Sequence, residues 1–248
     1  MRKVFFFVVT ISLFFFSACK KSTEVLNTAP ISDYYPLQIG KYITYNLDSS
    51  VVYLNFGSSI VVIHYQVRYV VDAQITDNLG RPAYRIIRYI RKTAADPWVP
   101  DNTFMAVPTD FSMEFIENNF RYLKLKEPIS EGYSWKGNSY IDTYSLNSTV
   151  QYLDDWDYTY DSLNYPAKIG ALTIDSTIKV AQRDEVIGLP SDPGHYSQIN
   201  FSEEKYAKGI GLIYRRFLHT EYQPPTPGHP GAYADATYGV TLTMIDHN

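Results

Sequence analysis

The stretch IVVIHYQVRYVV, residues 60–71, decides the fold. Its apolar and aromatic side chains occupy every second position: Val61, Ile63, Tyr65, Val67, Tyr69 and Val71. The polar residues His64, Gln66 and Arg68 alternate with them. A period of two places successive side chains on opposite faces of a strand, whereas a helix would repeat every 3.6 residues. The stretch therefore predicts an antiparallel strand with one buried and one wet face.

The same alternation recurs along the chain, at 41–54, 84–92, 120–126, 172–180, 210–221 and 238–246. Turn-forming clusters separate the runs, at 77–80, 117–119, 136–138 and 189–194. We predict an all-β fold: an antiparallel, strongly twisted sheet of about ten strands. Such a sheet must close into a barrel or half-barrel to bury its apolar face. Helices are expected to be short at most, at 110–117 and 202–207.

Composition narrows the class of protein further. Hydrophobic residues make up 45% of the 248, which excludes global disorder, and 23 Tyr and 13 Phe favour strands. The formal net charge is −4 and falls to −6 without Arg2 and Lys3. That balance argues against a nucleic-acid partner, which would require a basic surface.

The N-terminus has the pattern of an export signal. Arg2 and Lys3 precede an apolar stretch at 4–16, which is too short for a membrane-spanning helix of about 20 residues. Its length fits the apolar region of a secretory signal peptide.

The motif Phe16-Ser17-Ala18-Cys19 resembles the lipobox of bacterial lipoprotein precursors, with Phe16 where Leu is usual. The resemblance implies cleavage before Cys19, a diacylglycerol on its sulfur, and an anchor in the membrane. The alternative is an ordinary signal peptide with an incidental cysteine. Since Lys20 replaces the Asp of inner-membrane lipoproteins, the resemblance favours the outer membrane, on its periplasmic or its surface face. Cys19 is the only cysteine, so no disulfide is expected.

These features divide the chain into three parts. Residues 1–18 are the predicted signal peptide, 19–33 the lipidated cysteine and polar tether, and 34–248 a single β domain. A Pro-aliphatic-x-x-Gly pattern at 36–40 and 128–132 raises the alternative of two similar halves. The first of these patterns and YAKGIGL at 206–212 resemble segments of uncharacterised Gram-negative lipoproteins. More loosely, the chain is similar to calycins and lipoprotein carriers. Neither resemblance implies an activity.

The acidic and aromatic stretch at 152–161 provides two candidate sites. Its carboxylates could bind calcium, which prefers oxygen ligands, or form a solvated loop. They are Asp154, Asp155, Asp157 and Asp161. Its aromatic rings could stack on a sugar, or pack inward from a strand. They are Tyr152, Trp156, Tyr158 and Tyr160.

No catalytic motif is present. The sequence contains neither a Gly-rich phosphate loop, nor H-E-x-x-H, nor G-x-S-x-G, and no cofactor is expected. A glycan hydrolase would need paired carboxylates. The available acids are Glu114, Glu117, Asp154, Asp155 and Asp157.

The leading hypothesis is instead a non-enzymatic lipoprotein that binds an apolar or amphipathic ligand, such as an acyl chain, on its aromatic sheet. The alternative is an accessory lipoprotein that binds a glycan or another envelope protein.

Overall fold

A computed structural model describes residues 28–53, 57 and 59–248. The predicted signal peptide, Cys19 and most of the tether lie outside the described residues. Within the described part of the chain, no helix is long and apolar enough to cross a membrane.

The described residues form a nearly all-β structure. It opens with a four-residue helix, α1 (Ile31–Tyr34), and contains one 3-10 turn at Gln151–Leu153. The strands are β1 (Tyr42–Val52), β2 (Ile60–Thr76), β3 (Pro82–Arg91), β4 (Val99–Pro108), β5 (Ser112–Glu117), β6 (Phe120–Lys126), β7 (Ser134–Lys136), β8 (Asp157–Ile169), β9 (Leu172–Gly188), β10 (Ser197–Ala207), β11 (Gly211–Gln223), β12 (Ala232–Tyr233) and β13 (Tyr238–His247).

All the strands belong to one antiparallel sheet. Its order is β6-β5-β4-β3-β2-β1-β13-β11-β10-β9-β8-β7, with β12 paired to β11. The two ends of this order meet, because the Leu123 N–H donates to the Gly137 carbonyl at 2.8 Å. The sheet is therefore nearly closed into a barrel, which confirms the predicted fold class.

Strand β2 shows why the alternation predicted this sheet. Val67 and Val71 are buried, whereas His64 is exposed. Val67 lies opposite Tyr45 of β1 and Ile90 of β3, so a neighbouring strand covers each edge. Val67 and Val71 of the predicted apolar face thus contribute to the core, where their burial stabilises the fold.

The two short helices predicted from the sequence are wrong. Residues 112–117 are β5, which pairs with β4 and β6. Residues 202–207 belong to β10, which pairs with β9 and β11. In β10 the buried face carries Ser202 and Glu204 beside Tyr206, and these polar residues obscured the apolar alternation. Tertiary pairing outweighs the local preference of such segments.

Candidate functional site

A cavity of about 60 Å³ lies inside the curled sheet. Strands from both halves of the sheet order contribute to its wall, among them β1, β2, β5, β6, β10 and β11. Residues 35–37, which connect α1 to β1, line it as well. The cavity is thus formed where the concave face of the sheet meets the N-terminal segment.

Aromatic rings form much of the wall and its surroundings. In order they are Tyr45, Tyr69, Phe104, Phe115, Tyr35 and Tyr206. The successive ring centroids lie 5.3, 5.3, 5.5, 6.3 and 6.1 Å apart, in edge-on or tilted arrangements. These are the distances and angles at which aromatic pairs attract one another. The wall is therefore apolar and well packed.

Four charged side chains line the same cavity, and we call them the charged quartet: Glu117, Lys124, Glu204 and Arg215. Lys124 Nζ lies 2.6 Å from Glu204 Oε1. Arg215 Nη1 donates to both oxygens of Glu117, at 3.0 and 2.8 Å. Two positive and two negative charges balance, so the quartet is neutral as a group.

Glu204 is the best-supported member of the charged quartet. Its Oε2 accepts hydrogen bonds from the Tyr206 hydroxyl at 2.6 Å and from Gln182 Nε2 at 2.9 Å. Burial by itself would raise the pKa of the Glu204 carboxyl, but the charges of Lys124 and Arg215 outweigh it and the pKa is lowered. Glu204 is therefore ionised at neutral pH.

Gly211 and Lys41, which both line the cavity, lie where the N-terminal segment meets the chain around the start of β11. Gly211 has a φ of +115°, and a Cβ on it would lie 3.3 Å from Ile43 Cδ1 and 3.9 Å from Pro36 Cδ. Lys41 Nζ donates to the carbonyls of Gly209 and Asn248, both at 3.0 Å. Lys41 thus links the segment before β1 to the β10–β11 turn and to the C-terminal residue.

The aromatic residues predicted to stack on a sugar are mostly in the core. Trp156, Tyr158 and Tyr160 are each at most 2% exposed. Tyr152 is half-buried, and one face of its ring stacks on His219 at a centroid distance of 3.7 Å. The structure thus places three of the four rings inside, as the alternative of inward packing described.

The four aspartates predicted to bind calcium contact three different partners within the protein. Asp154 accepts a hydrogen bond from Thr143 at 2.8 Å, and Lys179 Nζ lies 3.1 Å from Asp161. Asp155 and Asp157 both pair with Lys136 Nζ, at 2.5 and 3.0 Å. Across the described ranges, no three His, Cys, Asp or Glu side chains converge as a metal site. The four aspartates are thus dispersed in the described structure, and calcium binding by them stays a prediction.

The acids considered for a hydrolase are dispersed in the same way. Glu114 pairs with Arg81 and Arg121, whereas Glu117 belongs to the charged quartet. Asp155 and Asp157 pair with Lys136, and Asp154 lines the same surface groove as Lys136. Glu114 and Glu117 are thus neutralised by arginines rather than paired with each other across a cleft.

Sequence reasoning missed most of the cavity. Lys124 and Arg215 lie in the alternating runs at 120–126 and 210–221, whereas Glu204 lies in the segment 202–207 that was predicted as a short helix. Arg215 shares its parity with the buried Ile213 and Phe217 in β11. A charged residue at an inward-facing position of a strand is the signal that would have indicated Arg215 as part of a buried site.

Comparisons with known proteins add little to this geometry. No family model matches the chain, and no curated protein does. Among solved structures it is similar to a protein described as exported, with a YMCC-like fold, from Bacteroides fragilis. The two chains are 12% identical, the match covers 86% of this chain and 99% of that one, and the TM-score is 0.36.

Proposed function

We propose that this is a non-enzymatic binding protein of the cell envelope, which holds a small amphipathic molecule in the cavity inside its sheet. Lipidated Cys19 would anchor it to the outer membrane, on the periplasmic or the surface face. One observation carries the proposal: an aromatic wall and a buried, charge-balanced quartet line the same cavity. An apolar wall with a few placed polar groups is the usual composition of a small-molecule site.

The volume of the cavity limits the ligand. A cavity of about 60 Å³ holds a few water molecules, so a long acyl chain does not fit it as it stands. A larger ligand enters only when residues 35–37 move aside. The ligand is thus a compact molecule rather than a lipid tail.

Native mass spectrometry of residues 20–248, which include every described strand, tests the proposal, together with solvent extraction of the same sample. A co-purifying compound of low mass is the expected result. A clean apo mass, an empty extract and no thermal shift with a library of small amphiphiles would contradict the proposal.

A second candidate function, glycan binding, rests on a surface groove of about 230 Å³. Tyr144, which is 80% exposed, lines it together with Asp154, Asp155 and Lys136. An exposed ring can stack on a sugar, and the carboxylates beside it can accept hydrogen bonds from the sugar hydroxyls. A glycan array read with the wild type and with Tyr144→Ala tests this: only signals that the substitution abolishes support it.

A further inference from the structure

Tyr35 places a neutral ring and a hydroxyl group inside the cavity. The ring packs between Phe115 and Tyr206, at centroid distances of 6.3 and 6.1 Å. Burial raises the pKa of the Tyr35 hydroxyl, with Glu204 as a further cause, so the group stays uncharged. The Tyr35 side chain is thus an uncharged ring with a hydroxyl group, and it lies beside the charged quartet.

Residues 35–37, which we call the arm, contact the sheet through side chains rather than through backbone hydrogen bonds. The Tyr35 N–H donates to the Ile31 carbonyl within the α1 turn, and Pro36 has no N–H. Further along the chain, the first backbone hydrogen bond to a strand is donated by the Gly40 N–H to the Val71 carbonyl, at 2.8 Å. In the described structure, no backbone hydrogen bond joins the arm to a strand, so its displacement would leave the strand pairing intact.

Arg215 carries an unused hydrogen-bond donor at the same place. Its side chain is 12% exposed, and its buried Nε–H has no acceptor within hydrogen-bond distance. Glu204 Oε1 lies 3.7 Å from Nε, which is beyond that distance. A buried donor without a partner costs free energy that an acceptor oxygen would recover. The quartet already balances its own charges, so a charged ligand would be left without a counter-ion there.

We propose that the ligand is an uncharged ring compound with a hydroxyl or carbonyl oxygen, and that it replaces the Tyr35 side chain in the cavity. This inference rests on the proposed function. The ring takes the place between Phe115 and Tyr206, and the oxygen accepts from Arg215. Tyr35 closes the site when no ligand is bound.

The test compares residues 20–248 of the wild type with the variant Tyr35→Ala, by calorimetric titration. The probes are 4-methylphenol, toluene, which lacks the oxygen, and benzoate, which is charged. We expect the variant to bind 4-methylphenol at least about tenfold more tightly than toluene or benzoate, as one charge-assisted hydrogen bond allows. We also expect at least about a tenfold gain over the wild type, in which Tyr35 competes. Tyr140→Ala, an exposed tyrosine outside the cavity, serves as the matched control and should bind like the wild type.

A second measurement does not depend on the folding of the variant. In the wild type, 4-methylphenol should increase deuterium uptake in the peptide that covers residues 33–40, because the arm is displaced. Preference for toluene or benzoate would overturn the ligand class while leaving a binding cavity. Absence of any binding and of any change in deuterium uptake would overturn the inference as a whole. The proposed function is tested separately, by whether a compound co-purifies with the protein.

Discussion

At the scale of single residues, Glu204 has the most demanding environment. It is buried on β10, and its carboxylate oxygens are used by Lys124, Gln182 and Tyr206. An ion pair removed from water recovers its desolvation cost only through contacts of this kind. The pair therefore depends on both of its members being present.

We predict that Lys124→Met lowers the free energy of unfolding by about 3–5 kcal/mol, because Glu204 loses its nearest counter-ion. The double variant Lys124→Met with Glu204→Gln should recover much of this loss. Urea denaturation measures both. The exposed pair of Lys136 with Asp155 is the matched control, and Lys136→Met should hardly move the midpoint. Equal effects of the two lysine substitutions would contradict the prediction.

His219 predicts a pH dependence of stability. It is 2% exposed, its Nδ1 lies 2.7 Å from Asn200 Oδ1, and burial lowers its pKa to about 4. The unfolded chain takes up this proton near pH 6.5 and the folded chain only near pH 4. Stability is therefore lost as the pH falls from about 6.5 to 4, by up to about 3 kcal/mol.

Urea denaturation between pH 7 and pH 4 tests this dependence. His219→Gln should flatten the profile in that window, because the variant has no imidazole to protonate. His64→Gln, at an exposed histidine, should keep the slope of the wild type. A profile that His219→Gln leaves unchanged would show that other groups cause the loss.

At the scale of elements, hairpin geometry constrains the long strands. Gly188 ends β9 with a φ of +74°, and a Cβ there would lie 2.0 Å from the Tyr196 carbonyl oxygen. Gly80, in the turn between β2 and β3, has a φ of +75° and no heavy atom within 4 Å of the same position. Both glycines have a positive φ, but only at Gly188 would a Cβ meet neighbouring backbone atoms.

We predict that Gly80→Ala costs about 1–2 kcal/mol, the penalty of the left-handed conformation alone. Gly188→Ala should cost clearly more, because the hairpin must also open to relieve the clash. Thermal unfolding of the two variants gives the comparison. Similar losses would mean that the β9–β10 turn relaxes freely.

At the scale of the whole molecule, closure of the sheet depends on a small set of hydrogen bonds between β6 and the paired strands β7 and β8, which we call the seam. The Tyr160 hydroxyl accepts from the Lys126 N–H at 3.0 Å and donates to the Lys126 carbonyl at 2.8 Å. Trp135 Nε1 donates to the Leu123 carbonyl at 2.8 Å. Side chains thus replace much of the strand pairing at this seam.

We predict that Tyr160→Phe lowers the free energy of unfolding by about 1–3 kcal/mol, because buried backbone groups of Lys126 lose their partner. Hydrogen exchange at residues 122–126 should become faster than in the wild type. The control Tyr140→Phe, at an exposed ring, should change neither quantity. Unchanged exchange in β6 would show that the seam is held by other contacts.

The proposed lipid anchor is tested on the full chain. We predict that the full chain, expressed in a Gram-negative host, incorporates labelled palmitate and partitions into detergent. Cys19→Ser should abolish both results, since no other cysteine exists. Labelling that persists in the variant would refute lipidation at this position.

The sequence by itself determined the all-β class and many of the strands, because alternation with period two is a local property of the chain. The runs at 120–126 and 238–246 became β6 and β13 nearly residue for residue, whereas the run at 60–71 became the first part of β2, which continues to Thr76. Only tertiary structure decided the cavity. Glu117, Lys124, Glu204 and Arg215 come from four strands, and Tyr35 comes from outside the sheet. Their convergence depends on which strands pair and how far the sheet curls, and no local spacing encodes either.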